Sequence, residues 1–302
     1  MKLRITAAAL LMATTTVVAG DDVRCRSRVV FPPNQLDVTV PFENTRNGVF
    51  VRARVNGRPE PLSFVMGSGA ARTLISDSVA KRILLHGTEA AKLRGTGAGV
   101  VPVTVAKNVS VAIGDVIIDH VDVRIANLSA LTKAWGRPVD GVIGYDLLCR
   151  AAVTVDYEKS RMTMTHPAVF KYDGNGETLK LYVQNGWSFV QGTIKVTGRP
   201  AVIDTFLLDT GSQDAVNHPI IRDSKGPLRK VITGPGLGIP MAGVLGPNEW
   251  FQLGKYTIGS TDSICCGASE DASRQIGAEV LSRFRVMFDY PHHRLILERK
   301  GR

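Results

Sequence analysis

One carboxylate dominates the chemistry open to this chain. Asp209 closes the apolar run Phe206-Leu207-Leu208 and is followed by Thr210, Gly211 and Ser212. A carboxylate placed directly after a buried run is costly unless hydrogen bonds or a second charge hold it. Gly211 lets the backbone fold back close to the acid, where a side chain would intrude. The Thr210 hydroxyl can tie the turn down. Such a group suits proton transfer to and from a water.

The same pattern occurs earlier with one change. Ser63 to Ala70 aligns with Thr205 to Ser212 at a constant offset of 142, so that Phe64 matches Phe206, Ser68 matches Thr210 and Gly69 matches Gly211. Gly67 stands where Asp209 stands. Two carboxylates facing each other at about 3 Å share one proton and titrate apart. One then draws a proton from water while the other polarises a carbonyl, with no metal and no covalent intermediate. Here only half of such a pair is present. Asp77, ten residues after Gly67, reads as a helix-capping residue and Met66 is inert, so the local sequence offers no substitute acid.

The elements that must position these residues also repeat. Strands are expected at 36–40, 49–55 and 62–66, and a helix over 79–85 behind the caps Ser76-Asp77-Ser78. Gly95 to Gly99 interrupts the chain before a strand at 100–105, and short strands follow at 109–113, 116–118 and 121–125. Val142-Ile143-Gly144 and a hairpin at 153–164 close the unit. After the turn-rich Asp173-Gly174-Asn175-Gly176 the order restarts: a strand at 189–196, the run into Asp209, a glycine-rich break from Thr233 to Gly238, then Ile276-Gly277 and a hairpin at 286–297. Ile143-Gly144 and Val155-Asp156-Tyr157 map onto Ile276-Gly277 and Phe288-Asp289-Tyr290 at a shared offset of 133. The chain is a two-fold repeat of a β-rich unit. Asp156 and Asp289 precede hairpin turns in both copies and read as turn residues, not as a second acid pair.

With these residues in place, both halves resemble the retropepsin-like aspartic peptidase domain, and their tandem order is similar to the two-lobed plan of pepsin. The resemblance spans residues 45 to 298. It implies an all-β fold, with two retropepsin-like (acid-protease) β-barrel lobes in one chain. It implies catalytic roles for Asp209, Thr210 and Gly211, and a degenerate first-lobe site at Gly67, Ser68 and Gly69. The apolar-apolar-Gly segments that cradle such loops match Val142-Ile143-Gly144 and, more loosely, Gln275-Ile276-Gly277. Gly97, Gly99 and Gly236 fall where flaps over a substrate cleft are expected. The implied ligand is a peptide or protein, with no cofactor or metal. Two lobes in one chain imply a monomer; the alternative is a homodimer in which a second copy lends its own Asp209.

Charge and leader bound the rest. The formal net charge is +10, but the Lys and Arg residues are scattered and no basic run interleaves with aromatics, which argues against a nucleic-acid partner. Lys2 and Arg4, the apolar stretch Ile5 to Val18 and the small-residue end Val17-Val18-Ala19 read as an export signal, giving a periplasmic or secreted protein. That stretch is too short to span a bilayer, so no membrane insertion is expected once it is cleaved. The expected organisation is a signal at 1–19, a leader segment at 20–44, a first lobe at 45–170, a linker at 171–178 and a second lobe at 179–302. Cys25, Cys149, Cys265 and Cys266 make two disulfides in an oxidising compartment, with three connectivities open. His292-His293 sits in a turn, and Trp135, Trp187 and Trp250 are too dispersed to suggest a platform for a sugar or a base. The functional expectation is an aspartic peptidase in which Asp209 is the surviving catalytic carboxylate. The alternative is an inactive peptide-binding or structural protein on the same fold.

Overall fold

In a computed structural model the protein is described at residues 25–95, 97–234, 236–266 and 274–299. The expected export signal lies outside them. Three sheets account for the architecture, of nine, six and ten strands.

The nine-stranded sheet belongs to the first half. Leu62–Met66 is buried at all five positions, as a strand covered on both faces must be. It lies between Gly48–Val55, antiparallel, and Gly141–Ile143, parallel. The long strand Val101–Ile113 pairs with both Gly48–Val55 and Val116–Ala126, which closes the sheet on itself as a barrel. This region differs from the expectation of four short strands. Two long strands run through it, and their pairing is interrupted where Asn108 and His120 take positive φ of 55° and 56°. The second half repeats the arrangement around Val202–Asp209, which lies antiparallel to Trp187–Lys195 and parallel to Gln275–Gly277. Here the counterparts of the long strands are broken in two, Met241–Pro247 from Trp250–Leu253 and Tyr256–Gly259 from Asp262–Cys265. Pro247 lacks an amide hydrogen and stands at the first break.

The six-stranded sheet joins the halves. Its order is Glu177–Lys180, Arg294–Arg299, Phe284–Asp289, Ala152–Asp156, Arg161–Thr165, Asp37–Pro41, three strands from each side of the repeat. At the centre Thr154 pairs with Met287, Val153 with Phe288 and Val155 with Val286. Thr154 therefore faces its own counterpart, Val153 and Val155 each face the counterpart of the other, and a pseudo-two-fold axis runs through the Thr154–Met287 pair. Phe64, Met66, Phe206, Leu208, Val155 and Phe288 belong to one buried cluster, so a single core crosses this axis.

The helices are short. Asp77–Arg82 follows Ser76, and Ser129–Trp135, which the sequence pattern did not signal, carries buried Trp135 onto the ring of Phe50. Of the two hairpin acids, Asp156 accepts from the Lys159 amide, as a turn residue does. Asp289 is fully buried and accepts two hydrogen bonds from the Arg294 guanidinium. The disulfides are Cys25–Cys149, which fastens the segment before the first strand to the turn after Tyr145–Leu148 in the first half, and the adjacent pair Cys265–Cys266. Among the described residues no helix is long and apolar enough to cross a membrane.

Candidate active site

The two related turns meet on the pseudo-two-fold axis. Leu62–Met66 delivers Gly67-Ser68-Gly69, and Val202–Asp209 delivers Asp209-Thr210-Gly211. The Ser68 hydroxyl donates to the Leu208 carbonyl at 3.0 Å, and the Thr210 hydroxyl donates to the Met66 carbonyl at 2.8 Å. In return the Ser68 amide donates to Thr210 Oγ1 and the Thr210 amide donates to Ser68 Oγ, both at 3.0 Å. Both hydroxyl residues are fully buried, so each turn satisfies the other's backbone without water. Beneath them the Tyr290 hydroxyl donates to Ser188 Oγ and lies 3.4 Å from the Ser68 carbonyl oxygen.

Asp209 lies at the floor of the cleft above this lock. Its Oδ1 accepts from the Gly211 amide at 2.8 Å and its Oδ2 from Gln275 Nε2 at 2.6 Å. Burial pushes the carboxyl up to about 6, and the charge of Asp214 adds to this; the amides of Gly211 and Gly69 and the Gln275 side chain pull the other way. The group is therefore poised to exchange a proton between weakly acidic and neutral pH. Gly69 is pressed against it, since a Cβ there would come within 2.6 Å of Asp209 Cγ. Gly67 is more open: a Cβ would meet Val142 Cγ1 at 3.2 Å and stand 4.0 Å from Asp209 Oδ1.

Differences between the halves surround this carboxylate. Val142 pairs with Leu74 in the first half, and Gln275 pairs with Asn217 at the matching place in the second. Asn217 Nδ2 lies 3.2 Å from both Gln275 Oε1 and Asp214 Oδ2, and the Ser212 hydroxyl donates to Asp214 at 3.3 Å. A polar chain thus runs Asp209–Gln275–Asn217–Asp214 on the second-half wall. The first-half wall presents Val65, Leu74, Val142, Leu131 and Trp135. Burial also raises the Asp214 carboxyl.

Two hairpins roof the space. Their strands are Glu89–Leu93 with Val101–Ile113, and Arg229–Thr233 with Met241–Pro247. The tips pair with each other: the Gly97 amide donates to the Leu237 carbonyl at 2.9 Å, the Ala98 amide to Ile239 at 2.8 Å and the Ile239 amide to Ala98 at 2.9 Å. Under this bridge lies a cavity of about 390 Å³.

The structure brings Gly67, Ser68, Gly69, Asp209, Thr210 and Gly211 into one cluster. Gly236 lines the cavity beneath the second hairpin, and Gly97 lies in the bridge, with room for no side chain against Gly238. Gly99, exposed with φ of 79°, turns the first tip. Three features went unread in the sequence. Asp214, five residues after Asp209, is a second carboxylate lining the cavity, where the local sequence had offered none. Gln275 occupies an apolar place in the cradle pattern, and that mismatch was the available signal. Trp135 and Trp187, dispersed along the chain, both reach the cavity wall. Among the described residues no group of His, Cys, Asp and Glu is arranged to hold a metal.

Residues 51–147 match the aspartyl protease family, so this part of the chain is aspartic-protease-like. The matched stretch contains Gly67 and ends before Asp209. No curated protein matches the chain.

Proposed function

We propose that this protein is an exported, two-lobed member of the aspartic peptidase family that holds an extended peptide beneath its bridged flaps and hydrolyses it with a water activated by Asp209. The observation that carries this reading is the intact hydroxyl lock between the two turns, with one carboxylate of raised pKa held above it. In the proposed reaction Asp209 takes a proton from water as the oxygen attacks the peptide carbonyl. It returns that proton to the departing amine. Hydrogen bonds to both carboxylate oxygens, from the Gly211 amide and Gln275, keep the acid oriented through the cycle.

Gly67 leaves the second acid of such a pair unfilled. General acid catalysis is worth about 10²–10⁴-fold, so turnover is expected to be slow by roughly that factor. The same glycine favours the second reading, a protein that binds peptides in this cleft and does not cleave them.

Peptide cleavage by the mature protein between pH 3 and 7 separates the two, with Gly67→Asp and Asp209→Asn run alongside. Activity in the natural protein that vanishes in Asp209→Asn supports the peptidase. Activity in Gly67→Asp alone, with an acidic optimum, supports a silenced cleft. A folded but inert Gly67→Asp would remove the proposal that the cleft is built for hydrolysis.

A further inference from the structure

The wall around Asp214 and Asn217 carries acceptors that the protein itself does not fill. Asn217 is buried, at 8% exposure, and its Oδ1 has no hydrogen-bond partner among the described residues. The amide cannot be turned to cure this. Its nitrogen faces Asp214 Oδ2 and Gln275 Oε1, both acceptors, so a flip would set three oxygens against one another. A buried carbonyl left unpaired costs free energy, and it calls for a donor. Asp214 stands beside it, and among the described residues its carboxylate receives the neutral donors Ser212 Oγ and Asn217 Nδ2.

The matching places in the first half make the contrast sharper. Where the second half has Asn217 and Gln275, the first has Leu74 and Val142. Arg72 lines the cavity on the first-half side. The same backbone therefore builds an apolar wall with a cation at one end and an acceptor-rich, acidic wall at the other. A symmetric fold does not require this difference.

We propose that the second-half wall is a recognition site for a cationic side chain, lysine or arginine, which donates to Asn217 Oδ1 and pairs with Asp214. The inference rests on the reading of the cleft as a peptide site, and it names the residue class that the peptide must carry on one side of Asp209. A cation there satisfies the orphaned carbonyl and the carboxylate together, and charge-assisted bonds of this kind are the strong ones.

The test uses hexapeptides of alanine and leucine in which lysine, norleucine or glutamate is placed at each position in turn. They are titrated calorimetrically into Asp209→Asn protein, which removes hydrolysis from the measurement. Lysine is expected to bind about 10-fold or more tightly than norleucine at one position, and glutamate more weakly than either. That preference should collapse in Asp214→Asn and in Asn217→Leu, the second of which installs the residue that the fold already accepts at Leu74. Equal binding of lysine and norleucine at every position overturns the inference while leaving the peptide cleft standing. A lysine preference that survives both substitutions overturns it as well. Folded protein that binds none of the peptides removes the peptide reading itself, and this inference with it.

Discussion

Ser68 and Thr210 exchange donors and acceptors across the axis, so truncating either strands two backbone groups on the opposite turn. Thr210→Val keeps the volume but abandons the Ser68 amide and the Met66 carbonyl. The expected loss is about 2–4 kcal/mol in urea denaturation. Asp209 acts on stability in a pH-dependent way. Its folded pKa lies above its unfolded value, so the native state holds the proton longer as pH rises. The stabilisation is complete below about pH 4, the ordinary carboxylate value, and is lost as pH climbs through about 6. Asp209→Asn should flatten that slope and be the more stable protein at pH 7, as denaturation at pH 4 and pH 7 would measure. Gln275 donates to the ionised form, so Gln275→Leu should push the Asp209 carboxyl higher still and move the acid limb of any pH–activity profile upward. The lone acid, its hydroxyl and its glycine were legible in the sequence because one local motif carries all three. The Gln275-Ile276-Gly277 cradle was legible too, but the Gln275 side chain's bond to Asp209 was not, because it joins strands 66 residues apart.

At the scale of elements the roof decides access to the cleft. Gly97 lies so close to Gly238 that a Cβ would come within 2.7 Å of its carbonyl carbon. Gly97→Ala should therefore part the two tips and leave the barrels intact. Amide hydrogen exchange checks this: Ala98 and Ile239 should lose protection, while Phe64 and Phe206 in the buried strands keep theirs. The two glycine-rich breaks were readable in the sequence as interruptions between strands. Their pairing depends on the placement of whole halves, which no local pattern encodes. The same limit applies to the strand at 101–113. Lys107-Asn108 reads as a break, yet pairing with Val116–Ala126 carries the ladder past it with a shifted register.

For the whole molecule, the repeat at offsets of 142 and 133 was the most informative feature of the sequence, because it places two like units in one chain. The three-plus-three sharing of the central sheet could not be read from it, since hairpins of this kind pair equally well within a lobe. Cys25–Cys149 ties the start of the described chain to the first half just before its closing hairpin, across 124 residues. Replacing both cysteines with serine should cost about 2–5 kcal/mol, seen as a lower melting temperature.

The axis through Thr154 and Met287 has a further consequence, which concerns direction. A peptide chain has an amino end and a carboxyl end, and it lacks two-fold symmetry. A cleft made from two identical halves presents the same surroundings to the chain laid either way round. It must therefore accept both senses equally. This chain carries both halves on one backbone, and it has let them diverge at Gly67 and Asp209, at Val142 and Gln275, and at the residues paired with these, Leu74 and Asn217. The scaffold remains indifferent to which end enters first, but the side chains do not. A bound segment can be held in a single sense, with a fixed amide beside Asp209.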